Sequence, residues 1–341
     1  MAIEIIATGR ALPSHRISNA QIAEKIDTTD EWIRSHTGIG FRYIADAQTA
    51  TSDLALLAAR NALSLALENG SVQEQSLEEL ALTLDMIIVG TITPDYYGTP
   101  STACLVQHEL GALHAGALDI NAACSGFIYG LENAAGLLSL NQERKRALVI
   151  GADILTKIVD WEDRGTCILF GDGAGAVLVE KREQGEERRG LLRTILRADG
   201  SGAESLIIRR GGSRNPYQRG EIVDKPPYVQ MDGRAVYNFA VKAVTEIIEA
   251  LLACESIGID AVRWIVPHQA NARIVAAAGK RLGIPAEKFF LNIENYANTS
   301  SASIPIALDE LNRREEIKRG DIIITVGFGG GLTYGGNLIK W

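Results

Sequence analysis

Short apolar runs alternate with longer segments of helical periodicity along the chain, and this alternation predicts an α/β fold. The runs at 86–90, 147–151, 176–179 and 322–326 are apolar without polar alternation, which is typical of strands buried on both faces of a sheet. Between such runs, apolar residues recur at spacings of three and four. The clearest cases are 51–69, which opens with a capping sequence and ends at Asn69-Gly70, and 236–254.

The two parts of the chain end on similar sequences. Glycines precede an apolar strand at 171–180 and again at 327–339, and a charged segment at 181–190 lies between the two parts. This pattern predicts an internal duplication, with one half spanning 1–180 and the other 181–341. We then expect the helices that follow Cys124 and His268 to begin at equivalent places and to meet across a pseudo-twofold axis.

Composition excludes several classes of protein. A chain of 341 residues with 46% hydrophobic content can bury one large core or two fused smaller ones, and its net charge of −8 argues against broad nucleic-acid binding. No apolar run reaches the length of a membrane span, and Glu4 lies where a secretory signal would carry basic residues, so we expect a cytoplasmic protein without a membrane segment. The four cysteines lack zinc-site and disulfide spacings and are predicted to be reduced thiols, with no metal site.

Cys124 is a candidate nucleophile. It follows an apolar strand pattern and directly precedes a predicted helix, where unpaired backbone N–H groups and the helix dipole favour a thiolate and bring its pKa toward neutrality. The alternative is a small buried hydrophobe under a strand-to-helix turn, which is the usual place of a free cysteine.

Two distant residues favour the chemical interpretation of Cys124. His268 follows a buried strand that stops at Pro267, and strand ends in α/β sheets face ligand crevices. Asn298 lies before another predicted helix, where it can also be a simple helix cap. A Cys/His/Asn set assembled by folding is an expected form of nucleophilic catalysis.

The glycine-rich segments allow two kinds of loop. The segment 171–175 is followed by a strand pattern rather than a helix, which argues against a dinucleotide-binding loop. Glycines 329–331 favour a backbone that approaches a ligand and directs an N–H group at an oxyanion, and the alternative is a tight turn between strands.

Several motifs resemble, in the same order, those of the thiolase-like condensing enzymes, specifically the β-ketoacyl-acyl-carrier-protein synthase III family. They are DTTDEW at 27–32, TGI at 37–39, AACSGF at 122–127, DRGT at 163–166, FGDGAG at 170–175, PHQANAR at 267–273, NTS at 298–300 and FGGG at 328–331. The likeness runs from Ile5 to Leu338. It implies a homodimer of five-layered αβαβα subunits built from two duplicated halves.

The resemblance also implies a cofactor-free condensation. Cys124 would take the acyl group of an acyl-CoA, and malonyl-acyl carrier protein would lose CO₂ to give an enolate that attacks the acyl-cysteine. His268 and Asn298 would donate hydrogen bonds to the enolate oxygen, and the N–H groups of Cys124 and Gly330 would hold the acyl carbonyl. Phe328 would shape the malonyl side of the site.

Further residues are matched to substrate binding only through the resemblance. Trp32 and Arg164 would stack on the adenine and meet the phosphates of CoA, although a surface-packed indole and an ion-paired arginine are the alternatives. His36 replaces a family arginine, and Arg234 could compensate for Asn238, which replaces a family lysine. Arg273 and Lys280 would dock the acidic carrier protein. The remaining matched positions are Thr37 and Asn271.

Thr99 matches the position whose side chain crosses the dimer interface to close the acyl pocket. A phenylalanine there restricts family members to short primers, so the resemblance implies that Gly98 and Thr99 leave room for medium or longer acyl groups. Three alternatives remain open: a related synthase of secondary metabolism with another primer or acceptor, a thioesterase-type hydrolase, and a non-catalytic subunit.

Overall fold

The computed structural model describes residues 1–183, 188–223 and 226–341. The strands are β1 (Ala2–Ala11), β2 (His15–Ser18), β3 (Phe41–Ile44), β4 (Met86–Gly90), β5 (Gly116–Ile120), β6 (Arg146–Ile154), β7 (Asp172–Arg182), β8 (Gly190–Ala198), β9 (Leu206–Ile207), β10 (Gln230–Met231), β11 (Val262–Pro267), β12 (Ile322–Gly329) and β13 (Thr333–Lys340). The helices are α1 (Asn19–Ala23), α2 (Asp30–Thr37), α3 (Thr51–Glu68), α4 (Leu77–Leu82), α5 (Thr102–Leu110), α6 (Gly126–Leu140), α7 (Arg164–Cys167), α8 (Gly233–Cys254), α9 (Ala272–Leu282), α10 (Ile293–Tyr296) and α11 (Ser303–Arg313).

The elements predicted from periodicity are confirmed. The four apolar runs lie within β4, β6, β7 and β12, and the two clearest helical segments are α3 and α8. Apolar spacing identified these elements because each has a face, or two faces, buried in a core. No helix in the described ranges is both long enough and apolar enough to cross a bilayer.

Two sheets share one strand arrangement. The first has the order β1-β7-β6-β4-β5, with β4 parallel to β5 and β6 and with β7 antiparallel to its neighbours. The second has the order β8-β13-β12-β11, with β11 parallel to β12 and with β13 antiparallel to both of its neighbours. At the position that β5 has in the first sheet, the second sheet has an isolated β-bridge between Ile265 and Phe289. The strand order thus repeats between the two parts of the chain.

The sheets and helices form five layers. Helices α3 and α5 pack on the outer face of the first sheet, and α8 and α9 pack on the outer face of the second. Helices α6 and α11 lie between the sheets and share one apolar core with both. The structure is therefore an αβαβα arrangement, and because the central core draws on both parts, the parts are packed as one unit.

The repeat corrects the expected equivalence between helices. In strand order, α6 after β5 corresponds to α11 before β12, so the counterpart of the turn at Cys124 is the turn at 300–302 rather than the helix after His268. His268, which follows β11, corresponds to the residues after β4. The boundary predicted after residue 180 falls inside β7, which ends at Arg182, and part of the predicted joining segment, 184–187, lies outside the described residues.

The contact between β1 and α3 gives a first prediction. A Cβ at Gly9 would lie 2.3 Å from both the Ala58 oxygen and the Ala62 nitrogen, so no side chain fits between this strand and helix. We expect Gly9→Ala to lower the free energy of unfolding by at least about 1–3 kcal/mol, because the backbones must separate. Thermal unfolding measures this loss of stability. Gly258→Ala is the control, because nothing lies within 4 Å of a Cβ at Gly258. Equal melting temperatures for the two variants would contradict the prediction.

Candidate active site

Cys124 lies in a tight backbone turn between β5 and α6. A single 3-10 turn, Ala123–Ser125, precedes the helix, and Ala123 has a φ of 46° in the left-handed region. The strand β12 ends against the same turn, where a Cβ at Gly329 would lie 2.5 Å from the Cys124 nitrogen. The Cys124 side chain is 8% exposed. Glycine at 329 is therefore required for the close approach of the two backbones.

Cys124 lines two cavities. The larger has a volume of about 700 Å³ and is mainly apolar, with Leu155, Val159 and Phe170 among its lining residues. The smaller, of about 150 Å³, is lined by Cys124 together with His268, Asn298 and Phe328. The three residues singled out from the sequence thus share one cavity, although 30 to 144 residues separate neighbours among them along the chain.

The protonation state of Cys124 differs from the expectation. Burial raises the pKa of the Cys124 thiol to about 12. The Ser300 hydroxyl lowers this pKa, and the negative charge of Asp153 raises it. Desolvation of the sulfur outweighs the stabilisation that a helix N-terminus gives to a thiolate. The resting side chain is therefore a thiol rather than a preformed thiolate. Any nucleophilic step at this sulfur therefore begins with removal of its proton.

His268 is held as a neutral imidazole. It follows β11, is 1% exposed, and burial lowers its pKa to about 3. Its Nδ1 lies 2.7 Å from the Ser303 hydroxyl oxygen, which also accepts a hydrogen bond of 3.4 Å from the Gln269 N–H. The described residues place no other hydrogen-bond acceptor at the Ser303 hydroxyl, so we assign its proton to Nδ1, which leaves the hydrogen of His268 on Nε2. The imidazole packs edge-on against Phe328, with ring centroids 5.3 Å apart.

Asn298 is oriented by the turn before α11. Its Oδ1 accepts a hydrogen bond of 2.8 Å from the Ser300 N–H, the local bond that an asparagine commonly makes in a turn. No described residue accepts a hydrogen bond from its Nδ2. Asn298 is not the helix cap expected as an alternative, because neither the turn at 300–302 nor α11 has a side-chain cap. The turn bond uses only the amide oxygen and leaves the amide N–H₂ as a donor on the cavity side.

Together these groups place two neutral hydrogen-bond donors beside a thiol. The His268 Nε2–H and the Asn298 Nδ2–H₂ share a small cavity, and both residues are buried. Donors held in this way stabilise negative charge that develops on a substrate oxygen, and they need no reorganisation when the charge appears. A pKa of about 3 makes the same imidazole a weak base at neutral pH.

The residues matched to CoA binding cluster around Trp32. The His36 ring stacks on Trp32 with centroids 4.2 Å apart, and the Arg164 guanidinium lies 5.0 Å from the Trp32 ring centroid. His36 Nδ1 is 2.7 Å from the Trp32 carbonyl oxygen, which can only accept, so this nitrogen carries a hydrogen. Because Arg164 packs against the indole, a planar ligand between them requires the guanidinium to move outward.

Two matched residues have structural hydrogen bonds. Thr37 is 3% exposed, and its hydroxyl donates to the Ile33 oxygen at 2.6 Å and accepts from the Ile39 N–H at 3.0 Å. The hydroxyl of Thr37 is therefore held within its own helix end, and a contact between Thr37 and substrate stays a prediction. Asn271 lines the smaller cavity, but its amide caps α9 and donates to the His36 oxygen at 3.0 Å, so it joins α9 to α2.

The remaining matched residues lie at the surface or at the cavities. Thr99, Arg234, Arg273 and Lys280 are exposed, and Gly330 lines the larger cavity. Tyr97, two residues before Thr99, lines the larger cavity of its own chain. Our sequence analysis missed Tyr97 and Ser303, although Ser303 stands five residues after Asn298, at the start of a helix, where it could have been noticed.

Comparison with known proteins places the chain beside acyl-carrier-protein synthases. Family models described as "3-Oxoacyl-[acyl-carrier-protein (ACP)] synthase III" and its C-terminal part match residues 118–200 and 252–341. A β-ketoacyl-[acyl-carrier-protein] synthase III of Clostridium perfringens is 48% identical over 99% of this chain and 98% of its own. A crystal structure of 3-oxoacyl-[acyl-carrier-protein] synthase III from Aquifex aeolicus matches with a TM-score of 0.84 and 41% identity over 100% of both chains. The priming β-ketosynthase of the R1128 polyketide pathway matches with a TM-score of 0.87 and 32% identity over 99% of this chain and 96% of its own.

Proposed function

Because the chain belongs to the 3-oxoacyl-[acyl-carrier-protein] synthase III family, whose fold is thiolase-like, we propose that it condenses an acyl-CoA primer with malonyl-acyl carrier protein. The products are a β-ketoacyl-acyl carrier protein, CO₂ and CoA, and the reaction initiates fatty-acid synthesis. The observation that carries this proposal is the position of Cys124, between a large apolar cavity and a small cavity with two neutral donors.

The first half-reaction is acyl transfer to sulfur. The Cys124 thiolate attacks the thioester carbonyl of the acyl-CoA, the acyl group moves to Cys124, and CoA leaves. The N–H groups of Cys124 and Gly330 donate to the carbonyl oxygen during both half-reactions. The apolar cavity that begins at Cys124 accommodates the acyl chain.

The second half-reaction forms the carbon–carbon bond. Malonyl-acyl carrier protein loses CO₂, and the electrons of the broken bond form an enolate whose oxygen accepts hydrogen bonds from His268 and Asn298. The enolate carbon attacks the acyl-cysteine, and the Cys124 thiolate leaves. Phe328, packed against the His268 ring, closes this side of the site. This scheme transfers no electrons to an acceptor, so we propose that it needs no cofactor.

The protonation of His268 disfavours the hydrolase alternative. A thioesterase activates water with a base whose pKa lies near the working pH, whereas the His268 pKa of about 3 leaves it a poor base. A neutral imidazole suits the role of donor to an enolate instead. The other alternative, a synthase of secondary metabolism, would use the same residues on other substrates. Substrate profiles distinguish it from a synthase that initiates fatty-acid synthesis.

We propose a homodimer in which Thr99 of one subunit borders the acyl cavity of the other. Thr99 is exposed in its own chain, next to the exposed Tyr96 and Tyr97, and a larger aromatic residue at this position would narrow the cavity. Medium or longer acyl primers are therefore accepted. Turnover of acetyl-CoA and octanoyl-CoA, each compared for wild-type protein and Thr99→Phe, tests this, and a strong wild-type preference for acetyl-CoA contradicts it.

CoA and the carrier protein bind at the mouth of the site. Trp32, His36 and Arg164 hold the nucleotide of CoA, with Arg234 near the entrance. Arg273 and Lys280 lie on the exposed face of α9, two turns apart, and present positive charge to the acidic carrier protein.

Reversal of the charge at Arg273 tests the docking surface. We expect Arg273→Glu to raise the KM for malonyl-acyl carrier protein by roughly 10-fold, because a repulsive contact replaces an attractive one in the encounter. The KM for malonyl-CoA should stay within about twofold, because the carrier surface is absent from this substrate. Steady-state kinetics with both acceptors measures the difference. An equal change in both constants would place Arg273 outside the docking surface.

Removal of the hydroxyl beside His268 should slow the second half-reaction selectively. Ser303→Ala leaves Nδ1 without its donor and frees the imidazole tautomer, so we expect decarboxylation to slow about 5- to 10-fold, equivalent to one hydrogen bond. Cysteine acylation should be unchanged, and Ser303→Thr should restore the rate. Release of CO₂ measures the decarboxylation rate, and the ¹⁵N chemical shifts of His268 report its tautomer. An unchanged tautomer in Ser303→Ala would disprove the assigned hydrogen bond.

Mass spectrometry of the intact protein tests the proposed function itself. Incubation with acyl-CoA should add one acyl group, located on Cys124, and addition of malonyl-acyl carrier protein should discharge it as β-ketoacyl carrier. Discharge by water alone indicates a hydrolase, and discharge by malonyl-CoA but not by the carrier protein indicates a different acceptor. Absence of acylation contradicts the proposal.

A further inference from the structure

Arg42 is a buried guanidinium that the proposed reaction leaves without a role. It lies on β3 and is fully buried. Its Nη1 donates a hydrogen bond of 2.7 Å to the Asn19 Oδ1, and its Nη2 donates one of 2.9 Å to the Ile168 oxygen. Both acceptors are uncharged. Because breaking either bond would leave part of a desolvated cation without an acceptor, we expect Arg42 to hold both acceptors within narrow limits.

The first acceptor connects Arg42 to α2. Asn19 is itself fully buried, and its Nδ2 donates to the Asp30 carboxylate at 2.8 Å and to the Ile39 oxygen at 2.7 Å. Asp30 is the first residue of α2, Trp32 lies two residues further along, and Ile39 follows the glycine that ends the helix. A single amide therefore carries the contact from Arg42 to both ends of the helix that bears Trp32.

The second acceptor belongs to the end of α7. This helix has four residues, of which Arg164 is the first, and Ile168 directly follows the last. A helix of one turn is not stable on its own, and its last carbonyl groups have no partners within the helix. Asp163 caps one end by accepting from the Gly165 N–H at 2.8 Å. Arg42 supplies the missing donor at the other end.

The two helices meet at the proposed nucleotide site. The Arg164 guanidinium lies 5.0 Å from the centroid of the Trp32 ring. Ile33 of α2 and Ile168 after α7 belong to one apolar core. Arg42 is therefore bonded, directly or through one amide, to both of the short helices whose side chains face each other at this site.

We propose that Arg42 is a positioning residue for the nucleotide of CoA, which sets the separation of the two backbones that carry Trp32 and Arg164. This role rests on the proposed binding of CoA at those two residues. Arg42 acts through α2 and α7 rather than on the ligand, because it is fully buried. A ring that packs against an indole and a guanidinium needs both at a suitable distance, so a shift of either helix weakens the contacts.

Kinetics with two acyl donors test this role. An acyl-CoA and the N-acetylcysteamine thioester of the same acyl group share the reacting bond, but only the acyl-CoA carries the nucleotide. We define the donor ratio as kcat/KM for the acyl-CoA divided by kcat/KM for the N-acetylcysteamine thioester. In Arg42→Met we expect this ratio to fall about 10-fold, the size of a lost stacking or cation–π contact. The Kd of CoA, measured by isothermal titration calorimetry, should rise by the same factor.

The donor ratio distinguishes a positioning role from a merely structural one. Loss of folded or active protein lowers both values of kcat/KM equally and leaves their ratio unchanged. Arg42→Lys should recover part of the ratio, because it keeps a cationic donor but lacks the planar fork that matches two acceptors. If Arg42→Met fails to fold, Asn19→Ser replaces it, since that variant breaks the connection to α2 and leaves the bond to Ile168.

Arg146→Met is the matched control. Arg146 is also a largely buried arginine, and it donates to Glu74 and Glu180 at 2.6 Å each. It is the first residue of β6, whereas the larger cavity is lined by Leu155, directly after the last. Its loss should lower the melting temperature but leave the donor ratio within about twofold of wild type.

Trp32→Ala separates failure of the positioning role from failure of the nucleotide site. The donor ratio should fall at least about 10-fold in this variant if CoA stacks on the indole. A fall in Trp32→Ala with an unchanged ratio in folded Arg42→Met or Asn19→Ser would overturn the positioning role alone. An unchanged ratio in Trp32→Ala would overturn the nucleotide site and the positioning role together. An equal fall in Arg146→Met would also count against Arg42, because any loss of stability would then produce it.

Discussion

Cys124→Ala protein is expected to lose condensation activity by at least about 10³-fold while it still decarboxylates the malonyl thioester. Without the sulfur no acyl-enzyme forms, so the first half-reaction stops. The donors on His268 and Asn298 belong to β11 and to the turn before α11, and neither depends on the thiol for its hydrogen bonds. Enolate formation therefore survives, and the enolate is protonated by water to give the acetyl thioester.

Two assays separate these outcomes. Formation of the β-ketoacyl product measures condensation, and release of CO₂ from malonyl-acyl carrier protein without primer measures decarboxylation. Cys124→Ser is the conservative comparison, since it keeps the size of the side chain but replaces the thiol with a poorer nucleophile. Loss of both activities in folded Cys124→Ala would show that the sulfur also supports the enolate, contrary to the arrangement proposed above.

His268→Ala and Asn298→Ala should show the opposite pattern. Each removes one preorganised donor from the small cavity, so we expect decarboxylation to fall on the order of 10²–10³-fold. Acyl-cysteine formation should fall by less than about tenfold, because it uses the backbone N–H groups rather than these side chains. His268→Gln, which keeps an N–H donor, should recover part of the rate.

The pH dependence of decarboxylation supplies an independent check. With a pKa of about 3, His268 remains neutral well below the usual range of histidine, so its donor role should persist unchanged from neutral pH down to about pH 5. Decarboxylation of malonyl-CoA, which avoids acid effects on a carrier protein, measures it. A rate that falls as pH drops through about 6.5, in wild type but not in His268→Gln, would show that His268 titrates normally and is not a buried neutral donor.

Local sequence patterns were enough to predict the principal elements. Apolar runs identified β4, β6, β7 and β12, and helical periodicity identified α3 and α8, because burial imposes these patterns on the chain itself. The ordered motifs likewise allowed the family and its fold to be predicted. Cys124, His268 and Asn298 could be singled out because each follows a strand or precedes a helix, a relationship that sequence neighbours reveal.

Relationships between distant segments depended on the tertiary structure. Strand order, rather than sequence similarity, showed that the turn at Cys124 corresponds to the turn before α11, and that His268 corresponds to residues after β4. The hydroxyl of Thr37 was matched to a substrate by its motif, but it is buried and bonded within its own helix turn. Motif position alone does not tell which way a side chain faces.

The sequence by itself determined which residues are candidates for the chemistry, because residue type and local pattern point to a nucleophile, two donors and the elements that present them. Only the tertiary structure decided their ionisation and their partners. The high pKa of Cys124, the neutral state of His268 and its contact with Ser303 all depend on burial and on segments far apart in the chain. Loss of water and long-range contacts set these properties, and neither is written in the neighbouring residues.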